Sequence, residues 1–237
     1  MKKIEIVNAK PKDLANIMDY INIHWKRGHI LSKNKKVFMH YYKKKKNLNF
    51  ILAKENKKIV GILGYLKDSK FSKIKNKSII WTSLLKASNS YPGLGLKLVS
   101  KLIKKFPANN IGCNGNNTDS DKLFKLLGFN TFVLNQYYLI NPNIKKFKLI
   151  THPKIKKSMI DRKKYLKGPI LKKLKIKNYY SYLEKKYFKY KNANFFLTKY
   201  HKNKFYNYSI VYIEERKKIK CIFVFRIVKK KKVEQQE

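Results

Sequence analysis

Arginine and acidic residues are both scarce in this chain. Arginine occurs only at Arg27, Arg162, Arg216 and Arg226, and Asp and Glu together number 13 against 58 Lys and Arg. The formal charge is +45, and nearly all of it is lysine. Contacts selected for phosphates or base edges recruit arginine, whose planar fork bonds bidentately. A lysine excess spread along the whole chain, beside abundant Asn, Ile, Tyr and Phe, reads instead as an A/T-rich coding bias and a solvated lysine surface. That argues against a nucleic-acid partner. Cysteine is nearly absent. Cys113 and Cys221 are far apart and each lies in an apolar run, as expected of buried thiols in a reducing cytoplasm. No apolar run reaches the roughly 18 residues of a membrane span. The start, "MKKIEIVNAKPKDL", has neither the apolar stretch nor the cleavage site of a signal peptide.

What is present is patterned. Hydrophobic residues make up 43% of 237, enough for one large domain or one and a half ordinary ones. Alternation over residues 3–7 predicts a first strand. Pro11 and Asp13 stand near the start of a helix with apolar positions Leu14, Ile17, Met18 and Ile21, broken at Gly28. A short helix is expected over 36–42. Residues 49–68 read as a strand, a turn at 55–57 and a longer strand. Residues 77–87, apolar on both faces, read as a central strand. The stretch "SNSYPGLGLKLVSKLIKKF" (88–106) then gives a glycine-containing turn opening an amphipathic helix, with Leu94, Leu98, Leu102 and Phe106 on one face. A short strand over 110–115 follows. A helix over 118–128, capped by Thr118 or Asp119, precedes a last strand over 130–140 ended by Pro142. The order β-α-α-β-β-β-turn-α-β-α-β implies a mixed α/β domain over 1–142, a twisted and mostly antiparallel sheet with flanking helices.

Residues 143–237 read less regularly. A lysine-rich linker with a helix around 179–187 leads to "NKFYNYSIVYIEERKKIKCIFVFRIV". That stretch parallels "KNLNFILAKENKKIVGILGYL", with Asn49-Phe50 matched by Asn207-Tyr208, at a spacing of about 160 residues. The chain is thus expected to hold one complete unit and an incomplete second one ending in a β-hairpin, with open strand edges that favour a homodimer.

The glycine turn carries the chemistry. A strand, a glycine turn and a helix start make an anion site, because glycine admits a phosphate close to the backbone and first-turn N–H groups point at it. A Walker loop needs Gly-Lys-Ser/Thr, which "GLGLKL" lacks, and a dinucleotide fingerprint needs a third glycine where Leu98 stands. The whole order of elements instead resembles the GNAT superfamily of acyl-coenzyme A-dependent N-acetyltransferases. Its Gln/Arg-x-x-Gly-x-Gly/Ala signature reads here Ser90-Tyr91-Pro92-Gly93-Leu94-Gly95. Its second element, Asn-x-x-Ala-x-x-Leu-Tyr before Gly-Phe, reads Asn117-x-x-Ser120-x-x-Leu123-Phe124 before Gly128-Phe129.

The resemblance implies acetyl-CoA as acyl donor, no metal, and a role for each position. The backbone of Gly93, Leu94, Gly95 and Leu96 would hold the pyrophosphate. The strand edge around Leu85 and Ala87 would pair with the pantetheine amides, and Asn117 would lie near the same arm, its plainer reading being a helix cap. Phe124 stands where the family has a tyrosine that protonates the leaving thiolate, so the chain either uses another donor such as Tyr91 or Tyr138, lets the thiolate leave unassisted, or is catalytically impaired. The central strand carries no carboxylate. The base candidates are His24 and His29 in "HWKRGHI", where the resemblance places the acceptor loop and where imidazole titrates near neutral pH. Further likeness, in "HWKRGHILS", "IGCN" and "YYLINP", is to acyltransferases of bacterial surface-polysaccharide gene clusters. It implies an amino sugar or nucleotide-linked amino sugar as acceptor. Two other readings stay open here. One is a degenerate, non-catalytic binding module with a basic surface. The other is a tandem-domain transferase using charged tRNA.

Overall fold

In the computed structural model of the chain, residues 3–72, 79–107, 110–133, 171–173, 192–215 and 218–228 are described. They fall into two compact units, one within Met1–Phe132 with Lys189–Phe195, the other within Val133–Phe188 with Phe196–Glu237.

The first unit is built on five strands. They are β1 (Ile4–Asn8), β2 (Phe50–Glu55), β3 (Lys58–Lys67), β4 (Ile80–Ala87) and β5 (Ile111–Cys113), in the order β1-β2-β3-β4-β5. All pairings are antiparallel except β4 with β5. This is the mixed, mostly antiparallel sheet that the sequence implied. Helices cover both faces. A 3-10 turn (Pro11–Asp13) leads into α1 (Leu14–Tyr20), which runs on as a π turn (Ile21–Trp25); then come α2 (Ile30–Lys33) and α3 (Lys35–Tyr42). The single helix expected over this stretch is therefore three conformations in series. Gly28 takes φ +71, the left-handed region, and donates its N–H to Asn22 Oδ1 at 2.8 Å. That combination ends the helix.

The α4 turn (Ser69–Ser72) follows β3, and α5 (Leu94–Lys105) follows β4. Leu94, Leu98, Val99 and Leu102 of α5 are buried at helical spacing, while Lys97, Lys101 and Lys104 point to water. A core of Ile51, Ala53, Leu63, Tyr65 and Ile80 lies beneath that stripe. Gly61 of β3 lets the helix settle. A Cβ there would sit 3.3 Å from both Leu94 Cδ2 and Leu98 Cδ1. Each fully buried aliphatic side chain contributes roughly 1.5–3 kcal/mol as an upper bound. On the other face α1 and α3 pack against β3, whose Ile62 has no exposed surface, and Phe38 of α3 stacks on Phe50 of β2 at 5.4 Å.

Helix α6 (Thr118–Leu126) is capped by Asn117, not by Thr118 or Asp119. With extended backbone at φ −84, ψ 174, Asn117 turns its Oδ1 onto the Ser120 N–H at 2.9 Å. The last expected strand has no regular structure over 130–133, and 134–140 lie outside the described residues.

In the second unit β6 (Leu171–Lys173), β7 (Ser209–Glu215) and β8 (Lys218–Phe225) form an antiparallel sheet in the order β8-β7-β6. The short helix α7 (Ala193–Phe196), of which Ala193–Phe195 belong to the first unit, continues as a π turn (Leu197–His201) before the hairpin. The helix expected around 179–187 lies outside the described residues.

Candidate functional site

Strands β4 and β5 run parallel through three pairs, Ile80 with Ile111, Trp81 with Gly112 and Thr82 with Cys113. Then β5 stops, and β4 goes on to Ala87. The edge of β4 from Ser83 to Ala87 therefore faces no strand among the described residues. Crevices of this kind, at the carboxyl ends of parallel strands, are where α/β sheets bind ligands.

A bulge decides what that edge presents. On β3, Ile62 pairs with Lys86 and Gly64 with Ser83, so Leu63 alone faces Leu84 and Leu85. Leu84 has φ +50, a left-handed conformation that costs a branched residue about 1–2 kcal/mol. The bulge also reverses the backbone phase. Ile80 N–H donates to Asn110 O, on the β5 side, at 2.8 Å, whereas Ser88 N–H donates to Val60 O, on the β3 side, at 2.9 Å. Strict alternation would put both on the same side. The switch falls on Leu84 and Leu85, so beyond it the N–H groups of Leu85 and Ala87 turn toward the gap.

The glycine turn closes the far end of β4. Tyr91 N–H donates to Ser88 O at 3.2 Å and Leu94 N–H to Tyr91 O at 3.1 Å, a tight chain reversal that Gly93 completes at φ +74. Of the four residues expected to present their backbone, Leu94 thus spends its N–H inside the turn. The N–H groups of Gly93, Gly95 and Leu96 donate to nothing among the described residues. A Cβ at Gly93 would meet nothing within 4 Å, and one at Gly95 only Leu123 Cδ1 at 3.9 Å, so the approach is open. The Tyr91 hydroxyl titrates under the influence of Glu55. Hydrogen-bonding to that carboxylate comes first among the causes that raise its pKa above the ordinary value, with burial and the charge of Glu55 adding to it.

The other expected positions fall as follows. Asn117 is exposed and its Oδ1 takes both the N–H and the hydroxyl of Ser120, which leaves its Nδ2 hydrogens to donate outward. Phe124 is 3% exposed, packed edge-on against Phe129 at 5.3 Å within the core. The π turn of α1 lies in contact with β4. His24, on that turn, is exposed and rests on the Tyr20 ring at 4.5 Å. Tyr20 in turn donates to Val60 O at 3.1 Å, the carbonyl that also takes Ser88 N–H. His29 is half-buried and caps α2, its Nδ1 accepting the Leu31 N–H at 3.2 Å. Burial, with the charge of Lys26, lowers its pKa. A neutral ring that accepts at Nδ1 carries its proton on Nε2, so its one lone pair is already used. Tyr138 lies outside the described residues.

Two residues at this edge were not singled out in the sequence. Tyr42 and Ser83 share a hydrogen bond of 2.9 Å between their hydroxyls. The polar Thr82-Ser83 pair inside an apolar strand was the available signal.

Three acidic side chains of this unit are engaged: Asp13 pairs with Lys54 at 2.6 Å, Asp68 accepts the Trp81 indole N–H at 2.7 Å and Asp121 pairs with Lys125 at 2.8 Å. The loop after α1 adds exposed Lys26 and Arg27 beside Trp25, which is 43% exposed.

No protein-family model and no curated protein matches this chain. Solved structures do. An aminoglycoside acetyltransferase from an uncultured soil metagenomic sample aligns at 16% identity over 59% of this chain and 99% of its own, with a TM-score of 0.45. The aminoglycoside N-acetyltransferase AAC(6')-Iy in complex with CoA aligns at 12% identity over 59% of this chain and 96% of its own, TM-score 0.45. An acetyltransferase of Trypanosoma brucei aligns at 14% identity over 58% of this chain and 100% of its own, TM-score 0.43. At such identities and scores the likeness says nothing about activity.

Proposed function

We propose that this chain is an acyl-coenzyme A-dependent N-acetyltransferase acting on a small amine. The observation that carries the reading is the bulge at Leu84, which turns consecutive backbone amides of β4 into a gap that ends at an open glycine turn. An acyl-thioester with a long amide-bearing arm and a pyrophosphate matches that sequence of donors.

Acetyl-CoA, when bound, supplies an acetyl group activated as a thioester. The residues then divide the work. The N–H groups of Gly93, Gly95 and Leu96, at the positive end of α5, hold the pyrophosphate. Leu85 and Ala87 pair with the pantetheine amides as an added strand does, and Asn117 Nδ2 donates to the same arm. The amides at the bulge face the carbonyl oxygen and stabilise the charge that grows there. His24 takes the proton from the incoming amine, being exposed and free of the capping duty that occupies His29. Phe124 has no hydroxyl, so protonation of the leaving sulfur falls to Tyr91 or Tyr138.

The acceptor follows from the charge. With Asp13, Asp68 and Asp121 engaged, the site has little to offer a polycation. Lys26, Arg27 and the exposed Trp25 suit a sugar or base bearing phosphate, so the acceptor is an amino sugar of the nucleotide-linked kind used in surface-polysaccharide synthesis in the cytoplasm. On this reading residues 1–142 are the coenzyme-binding domain and 143–237 a second unit, whose edge strand β8 supports a homodimer.

The test is thiol release from acetyl-CoA in the presence of a panel of amines. Turnover with phosphate-bearing amino sugars and not with polycationic aminoglycosides is expected. The reverse order would overturn the acceptor class, and no amine-dependent release would overturn the activity.

A further inference from the structure

We infer that the hydrogen bond between Tyr42 and Ser83 is a positioning device that fixes the register of β4 and holds the bulge at Leu84, so aiming the gap-facing amides. The inference rests on the acetyl-CoA reading above, and neither residue touches the coenzyme in it.

The geometry is specific to one position. Ser83 immediately precedes Leu84 and forms the last regular pair before the bulge, opposite Gly64. Its hydroxyl lies 2.9 Å from that of Tyr42, the last residue of α3. Gly64 is needed there. A Cβ at Gly64 would come within 3.0 Å of Ser83 Oγ and 3.1 Å of the Phe50 ring. Phe50 in turn packs against Tyr42 at 4.7 Å and Phe38 at 5.4 Å. The α3 terminus, β2, β3 and β4 thus converge on one hydroxyl pair.

A bulge needs such a pin. A non-glycine residue at positive φ costs on the order of 1–3 kcal/mol and persists only where its surroundings over-determine it. Ordinary pairing of β3 with β4 would relieve Leu84, but a shift of one residue moves every side chain to the opposite face. Ser83 would then leave Tyr42, and a buried tyrosine hydroxyl without a partner is expensive. Tyr42 is 4% exposed, and burial pushes its pKa up to about 12, so it stays protonated across the working range. An apolar pair would fill the same space without selecting this register.

The test needs no acceptor. Acetyl-CoA labelled with carbon-13 at the thioester carbonyl is added to the full chain, and the carbonyl resonance is followed by NMR, with affinity measured in parallel. In the wild type the resonance moves downfield on binding, because amides donate to the carbonyl oxygen. Tyr42→Phe and Ser83→Ala are each expected to lose more than half of that shift while affinity stays within about threefold, since neither side chain contacts the ligand. The double variant loses no more than either single one, because both break the same bond. Tyr42→Phe keeps the ring packing and is the variant to rely on if Ser83→Ala folds poorly. A full downfield shift in Tyr42→Phe at unchanged affinity would overturn the positioning role and leave the coenzyme reading intact. Failure of the wild type to bind acetyl-CoA would overturn both.

Discussion

Thr82 faces Cys113 in the last parallel pair of the sheet, and the next residue of β4 is the pinned Ser83. The amides proposed to face the thioester carbonyl and the pantetheine arm lie in the next few positions of that strand. Two adjacent substitutions separate its two edges. Ala87→Pro removes an N–H that faces the gap, so the sheet is expected to survive while acetyl-CoA affinity falls about tenfold, the worth of one or two hydrogen bonds. Lys86→Pro removes an N–H that faces β3 and is expected to cost about 3 kcal/mol of stability. Denaturant titration and a binding isotherm on both variants check this. Equal destabilisation would mean the backbone phase is not reversed.

Asn117 does two jobs on this account, and they are separable. Asn117→Ala loses the cap of α6 and is expected to cost about 1 kcal/mol. Asn117→Asp keeps the cap and suits the helix start, yet has no amide hydrogens to give. It is expected to fold normally and bind acetyl-CoA several-fold more weakly. Wild-type affinity in Asn117→Asp would confine the residue to capping.

His29 makes the loop around α2 sensitive to acid. Its folded pKa lies below the ordinary 6.5, through burial and then Lys26. The unfolded chain therefore binds that proton more readily. The stability His29 contributes is complete above the ordinary value and is lost as pH falls below it toward the depressed folded value. Protonation also takes the lone pair that accepts the Leu31 N–H. His29→Asn keeps an acceptor at the cap and is expected to flatten the dependence of stability on pH just below 6.5. An unchanged slope would show that other groups set it.

Much of this was legible in the sequence, for physical reasons that differ by element. Helix α5 was readable because Leu94, Leu98 and Leu102 recur at helical spacing and glycines mark its start. Strand β4 was readable as a strand because its residues are apolar on both faces, but not its place as fourth of five with one edge from Ser83 onward unpaired among the described residues. The choice of cap for α6 was not, because Asn117, Thr118 and Asp119 are all competent and only the backbone angles at 117 decide. The bulge was invisible. Leucine is among the last residues expected at positive φ, and the bond inferred to hold it there joins its neighbour Ser83 to a residue 41 positions away in the chain. Nor does composition reveal that His29 is occupied as a cap while His24 is not.

Asp13 ties the entry of α1 to β2. Its carboxylate accepts from Lys54 at 2.6 Å and from the Lys10 N–H at 2.7 Å. Burial works to raise its pKa, but these bonds and the charges of Lys54 and Lys12 outweigh it, so the folded value is depressed below the ordinary 3.8. The stability it contributes is present above that ordinary value and lost as pH falls through the depressed one. Asp13→Asn leaves Lys54 half-buried without its counter-charge and is expected to cost about 2–3 kcal/mol at neutral pH. Chemical denaturation of the two proteins at pH 7 and at pH 3 checks this, since the difference between them should shrink at the lower pH.

The central claim is that the glycine turn binds the pyrophosphate of acetyl-CoA, and Gly95→Asp tests it most directly. The new side chain has room, with only Leu123 Cδ1 at 3.9 Å from its Cβ. A carboxylate in the first turn of a helix is stabilising by about 0.3–1 kcal/mol. The variant should therefore melt no lower than the wild type. The measurement is calorimetric titration of acetyl-CoA into both proteins at about 0.3 M salt, which screens diffuse attraction between lysines and phosphates. Micromolar binding by the wild type and a loss of about a hundredfold, or 2.7 kcal/mol, in Gly95→Asp is the expected result. Equal affinity in the two proteins, or wild-type binding that disappears with salt, would contradict it.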